Sequence, residues 1–197
     1  MLDPNFVILG SLINLSSAFV YLFATVRGEV KPNRVTFFLW ALVSFIAFAA
    51  QVKQGVGIQS LFTLFSGLIP LSILIASFVN KKSFWKLGTF DYICGALSLI
   101  GLLLWYITKV GNIAIFCSIL ADAFAYIPTL RKSYYFPETE NGLSYFLSAT
   151  GAAITALTIT VWNFQTYAFP IYVFILDFVI FILVQFKVRR LLKKFIL

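Results

Sequence analysis

The sequence predicts an all-α membrane protein: seven transmembrane helices, arranged as two parallel three-helix bundles joined by a linker helix. Three observations carry this reading: an extreme apolar composition, basic residues gathered in alternate connections, and a short pattern repeated at a fixed offset. Of 197 residues, 61% are hydrophobic and 11% charged, and the mean hydropathy is +0.96. A water-soluble domain of this size does not reach that balance.

A helix needs roughly 20 residues to cross about 30 Å of hydrocarbon. The chain divides into apolar stretches at 5–26, 35–53, 57–79, 88–108, 112–131, 143–163 and 167–186. The first is expected to stay in the mature chain: it follows Asp3 rather than a basic segment and belongs to the repeated unit. A β-barrel would alternate apolar and polar residues, whereas Phe37 to Ala50 and Ile171 to Val184 are nearly continuous apolar runs.

Thirteen of the fifteen Lys and Arg lie in alternate connections or the tail: Arg27, Lys31 and Arg34; Lys81, Lys82 and Lys86; Arg131 and Lys132; Lys187, Arg189, Arg190, Lys193 and Lys194. Only Lys53 and Lys109 fall on the other side. Short basic loops are retained in the cytoplasm, so the N-terminus is expected outside and the C-terminus inside, in a plasma (inner) membrane. The net charge of +8 then reads as a topology signal with anionic lipids as partners at the cytoplasmic face. Nucleic-acid binding would need a folded basic surface that the chain lacks. Cys94 and Cys117 fall within spans without metal-ligand spacing, and there is no His. No metal site and no cofactor are expected.

Ala18-Phe19-x-Tyr21, with Arg27 and Pro32, recurs as Ala123-Phe124-x-Tyr126, with Lys132 and Pro137, 105 residues later. The same offset aligns Ser17 with Asp122, Leu22 with Ile127 and Ala47 with Ala152. The units are read as 1–83 for the first bundle, 84–110 for the linker helix and 111–197 for the second bundle with its basic tail. The linker span makes both units begin outside, so the repeats are parallel, about an axis along the membrane normal.

Pro70 and Pro128 fall inside spans, where proline removes an amide donor; each is read as a hinge or as a shape-setting break. Ser144, Ser148, Ala152 and Ala156 form a small-residue face in the sixth span, suited to close packing or to bordering a permeation path. Trp85, Tyr106 and Tyr167 read as interfacial belt residues. Trp40 reads as an anchor or a gate, and Gly55-Val-Gly57 as a tight outer loop.

Polar residues deep in the spans carry the functional information. Asp122 lies near mid-membrane, where an unpaired carboxylate is costly, with Tyr126 one turn on along the same face. The first-half counterparts are Ser17 and Tyr21, with Asn14 on a broadly shared face. These groups either surround a central cavity or tie the bundle together. Asp177, about ten residues into the seventh span, either joins them or pairs with hydroxyls of a neighbouring span. Asn163, at the outer end of the sixth span beside Trp162, fits a solute site or an interfacial role. Asp91, beside Thr89, reads as a capping carboxylate.

The architecture resembles the SWEET and PQ-loop superfamily. The resemblance is carried by the repeated Ala-Phe-x-Tyr pattern and by Asp122-Ala-Phe-Ala-Tyr-Ile-Pro128-Thr129-Leu-Arg-Lys, followed by Pro137-Glu-Thr-Glu-Asn. Family members carry a proline and a glutamine near the cytoplasmic ends of helices one and five. Here Pro128 matches the proline, Thr129 replaces the glutamine, and the first repeat has Phe23-Ala24 instead. The resemblance implies alternating-access movement of a sugar, an amino acid or a vitamin-like solute between the two bundles, with Pro128 in gating. The expected binding residues are Asn14, Ser17, Tyr21, Asp122, Tyr126, Asn163 and Asp177, and the expected gating residues are Pro128 and Trp40.

The alternative is a receptor that uses the same pocket without transport, with Glu138-Thr-Glu140 contacting a cytoplasmic partner. A channel is disfavoured because one chain carries no filter-like loop or ring of charges; a homo-oligomer could supply that symmetry. An enzyme is not expected, since no His or Cys nucleophile accompanies Asp122 and Asp177. A retinal protein is disfavoured because Lys187 lies at the end of the seventh span.

Overall fold

A computed structural model describes residues 2–108 and 111–196, with side chains except at positions 105, 108, 111, 114 and 193–196. Lys109, and the side chains of Lys193 and Lys194, therefore lie outside the described residues. The chain is a helical membrane protein, with no strand among the described residues. Its helices are α1 (Phe6–Arg27), α2 (Arg34–Lys53), α3 (Ser60–Ala76), α4 (Thr89–Thr108), α5 (Gly111–Tyr135), α6 (Gly142–Leu157), α7 (Phe164–Gln185) and α8 (Val188–Ile196), with a 3-10 turn at Pro137–Thr139. Three of them, α1, α2 and α7, are long and apolar enough to cross a membrane, and shorter apolar helices accompany them.

The helix ends follow local chemistry. Gly28, at φ 79°, takes the left-handed conformation that closes α1. Asn33 caps α2 and Asn141 caps α6, each accepting from backbone amides of the first turn. Asp91 accepts from the Gly88 amide at 2.7 Å and from Asn33 Nδ2 at 2.8 Å, so the capping carboxylate of α4 also holds the start of α2. Gly55 adopts φ 77° in the turn after α2, as a tight loop requires.

Four helices depart from the expected stretches by three residues or more at an end, and α3 forms only Ser60–Ala76 within the expected 57–79. The stretch 143–163 is helical only to Leu157, and α7 starts at Phe164 rather than 167. The cause is Asn163, whose side chain accepts from the Thr166 amide in a capping box. A residue that begins one helix cannot continue another. α5 runs on to Tyr135, beyond the expected 131.

The packing order is the same in both halves. α1 and α2 each pack on α3; α5 and α6 each pack on α7. Across the halves α1 packs on α6 and α2 on α5, while α4 lies against α5 and, more lightly, α2. The α1–α6 contact is backbone on backbone: a Cβ on Gly151 would stand 2.5 Å from the Gly10 carbonyl oxygen, and one on Gly10 would stand 2.8 Å from that of Gly151.

The connections carrying the basic residues gather at one end. Lys31 N–H donates to the Thr139 carbonyl at 3.0 Å, Asn80 Nδ2 donates to the Val26 carbonyl at 2.8 Å, and the Trp85 and Phe136 rings lie 5.7 Å apart.

Candidate functional site

One cavity lies where the two halves meet. Asn14, Ser17 and Tyr21 of α1, Phe37, Trp40 and Ser44 of α2, and Ser66, Ile69, Pro70 and Ile73 of α3 line one side. Asp122 and Tyr126 of α5, Ser144, Tyr145 and Ser148 of α6, and Phe169, Val173 and Asp177 of α7 line the other. Its volume is about 60 Å³. Drug-sized ligands occupy pockets of roughly 300 Å³ or more, so in this conformation the cavity holds only a very small molecule or a few waters.

The second half supplies a crossed pair of tyrosine–carboxyl contacts. Tyr126 of α5 donates to Asp177 Oδ1 of α7 at 2.7 Å, and Tyr172 of α7 donates to Asp122 Oδ2 of α5 at 2.9 Å. Ser148 of α6 borders the same cavity. Both carboxyl groups are buried, Asp122 at 3% and Asp177 at 4% exposure. Asp177 thus does both things the sequence left open: it borders the cavity and pairs with the hydroxyl of Tyr126 on a neighbouring helix.

In the first half, Asn14 Nδ2 donates to Ser66 Oγ at 3.4 Å and the Ser17 hydroxyl donates back to the Asn14 carbonyl at 2.6 Å. Ser144 donates across the interface to the Ser17 carbonyl at 2.9 Å. Pro70 interrupts no helix assignment in α3, but it cannot donate to the Ser66 carbonyl, and both residues border the cavity.

Trp40 packs on Tyr126 with ring centroids 4.3 Å apart and ring planes tilted by 46°. Its indole N–H is buried and has no hydrogen-bond partner among the described residues. It is therefore a cavity residue rather than an interfacial anchor.

Tyr21 departs from expectation. Its ring borders the cavity, but its hydroxyl donates to Glu140 Oε2 at 2.6 Å. Tyr145 donates to the same oxygen at 3.1 Å, and Lys132 Nζ donates to Glu140 Oε1 at 2.7 Å. Lys132 also donates to the Lys31 carbonyl and lies over the Trp85 ring. The Lys132 and Glu140 side chains are 1% and 0% exposed. Four segments, α1, the α1–α2 loop, α5 and the α5–α6 loop with α6, are thereby knotted beneath the cavity at the basic end. This corrects the reading of Glu140 as a partner-facing residue: it is sealed inside the protein, whereas Glu138 is exposed and pairs with Arg190 at 3.3 Å.

Two expected residues lie elsewhere. Asn163 is exposed, caps α7 and borders a separate outer pocket with Gln54 and Gln165; its carbonyl oxygen is committed to backbone. Pro128 borders a groove between α4 and α5, with Trp85, Phe90 and Arg131, and is not among the cavity residues. Sequence reasoning missed Tyr172, Tyr145, Ser44 and Ser66 as cavity or carboxyl partners. Ser144 and Ser148, noted for a small-residue face, do border the cavity.

Toward the end away from the basic loops, Ala47, Phe62, Ala152, Phe169 and Val173 form an apolar cluster. The cavity is thus bounded by a polar knot on one side and a greasy layer on the other. No protein-family model, curated protein or solved structure matches this chain.

Proposed function

We propose that the protein is a SWEET-like transporter that moves a small polar solute by alternating access between two parallel three-helix bundles, α1–α3 and α5–α7, joined by α4. The observation that carries the reading is the cavity: it is lined from both halves, and the repeat-related pairs Ser17–Tyr21 and Asp122–Tyr126 both border it. The shared packing order, with α1 on α6 exchanged for α5 on α2, is what a twofold axis along the membrane normal produces. Basic loops retained in the cytoplasm orient the N-terminus outside and the Glu140 knot inside.

In this reading the small cavity belongs to a closed state. The Glu140 knot is the inner gate and the Phe62–Phe169 layer the outer one. Polar groups in hydrocarbon are costly unless they serve a site or are fully paired, and those around the cavity are only partly paired within the protein.

Counterflow in proteoliposomes, across a panel of sugars, amino acids and vitamin-like solutes, tests the proposal. Exchange of a labelled solute for the same unlabelled solute, abolished by Asp122→Asn, is expected. Saturable binding without any counterflow identifies a receptor instead.

A further inference from the structure

We infer that the cavity takes a small organic ammonium ion that also carries a neutral oxygen acceptor, a molecule of the kind and size of ethanolamine. The inference rests on the reading of the cavity as the solute site. Two carboxyl groups, Asp122 and Asp177, border the cavity, and no Lys or Arg does. Their protein partners are the hydroxyls of Tyr172 and Tyr126, which donate hydrogen bonds without bringing positive charge. Lys132, the nearby buried cation, is already matched by Glu140. A buried carboxylate without a counter-charge is strongly unfavourable, and an ammonium ion supplies one positive charge together with three donors, which matches this pair when the two carboxyl groups share one proton.

The walls suit the same ion. Trp40 and Tyr126 present adjoining aromatic rings, whose faces attract a desolvated cation. An anion would meet the negative charge of the carboxyl pair, and a neutral polyol would leave that charge uncompensated.

The oxygen acceptor follows from Trp40, an observation independent of the carboxylates. Trp40 borders the cavity, is 7% exposed, and its indole N–H has no partner among the described residues. The inference places that N–H against the bound solute: an ammonium group has no acceptor to offer it, and a hydroxyl or carbonyl oxygen on the same molecule does. The volume of about 60 Å³ sets the size to a few heavy atoms.

The test is equilibrium binding of labelled ethanolamine to the purified full-length chain, with ethylene glycol and ethylamine as competitors. The first competitor replaces the ammonium by a hydroxyl; the second removes the oxygen. Saturable ethanolamine binding is expected, with ethylamine weaker by about tenfold, the worth of one hydrogen bond, and ethylene glycol weaker by more than about a hundredfold, as for loss of a charge-assisted pair. Asp122→Asn and Asp177→Asn are each expected to weaken ethanolamine by more than about tenfold. Trp40→Phe keeps an aromatic ring and is expected to erase the preference for ethanolamine over ethylamine, so the inference can fail even if the aspartate variants do not fold. Ethylene glycol competing as well as ethylamine, or absence of saturable ethanolamine binding to the unaltered chain, overturns it. Counterflow separates it from the transport proposal: ethanolamine that binds but does not exchange overturns transport alone, while exchange of a neutral solute without ethanolamine binding overturns the ammonium inference alone.

Discussion

Tyr21 and Tyr126 occupy corresponding positions in the two copies of the repeat, yet their hydroxyls go to different places. Tyr21 reaches down to Glu140 at the basic end, and Tyr126 reaches across to Asp177 in the cavity. Around Glu140 the polar groups close on one another: one buried carboxylate meets one buried ammonium and two hydroxyls. Around the cavity they do not, for two carboxyl groups meet only hydroxyls and an indole N–H is left over. Self-sufficient polar networks hold structure together, and incomplete ones await something else.

The largest break in this comparison comes from the closed network. Lys132→Met or Glu140→Leu leaves a buried charge unmatched and is expected to cost about 3–5 kcal/mol, measured by chemical unfolding in detergent micelles. The double variant Lys132→Met, Glu140→Leu should recover a large part of that loss, because the orphaned charge is gone; a purely additive cycle would show that the pair is not coupled.

A smaller effect is expected at the α1–α6 contact. Gly151→Ala places a methyl group against the Gly10 carbonyl and should destabilise by about 1–3 kcal/mol, seen as a lowered melting temperature. The two tyrosines then sharpen the contrast. Tyr21→Phe should lower stability by about 1–3 kcal/mol through the lost bond to a carboxylate while leaving solute affinity within about threefold. Tyr126→Phe, a loss of similar size in stability, should shift affinity by about tenfold or more. Equal affinity changes for both would erase the distinction between the proposed gate and the proposed site. Least of all, Asn163→Ala removes the cap of α7 and should cost about 1 kcal/mol, read from the same melting curves.

Much of this was legible in the sequence because the background is so apolar. Against it, Asp122, Tyr126 and Asp177 stand out at mid-span, and the repeat offset pairs Ser17 with Asp122 without any structure. Tyr172 and Tyr145 were not legible, since among nine tyrosines and 23 phenylalanines nothing local separates a carboxyl partner from a belt residue. Glu140 was hidden differently. An acidic residue in a polar loop reads as solvated, and only tertiary folding brings Lys132, Tyr21 and Tyr145 around it. The end of α6 was misjudged because Val161 and Trp162 extend its apolar run past Thr158, while the decisive signal, the Asn163 cap, looks like any interfacial amide. The copies also differ in spacing: Tyr21 and Tyr126 are 105 residues apart, but the caps Asn33 and Asn141 are 108 apart. The connections 28–33 and 136–141 are equally long, and the extra three residues lie in α5, which runs on to Tyr135 past Tyr126 where α1 stops at Arg27 past Tyr21, which is why a fixed offset matches the first helices better than the second.

The meeting of Gly10 and Gly151 has a consequence for how this sequence can drift. Where helices interleave large side chains, a change on one can be answered by a change on the other, and many pairs of residues serve. Here main chain meets main chain, so no partner substitution can make room. These two positions should therefore stay glycine under deep mutational scanning, marking the joint between α1 and α6.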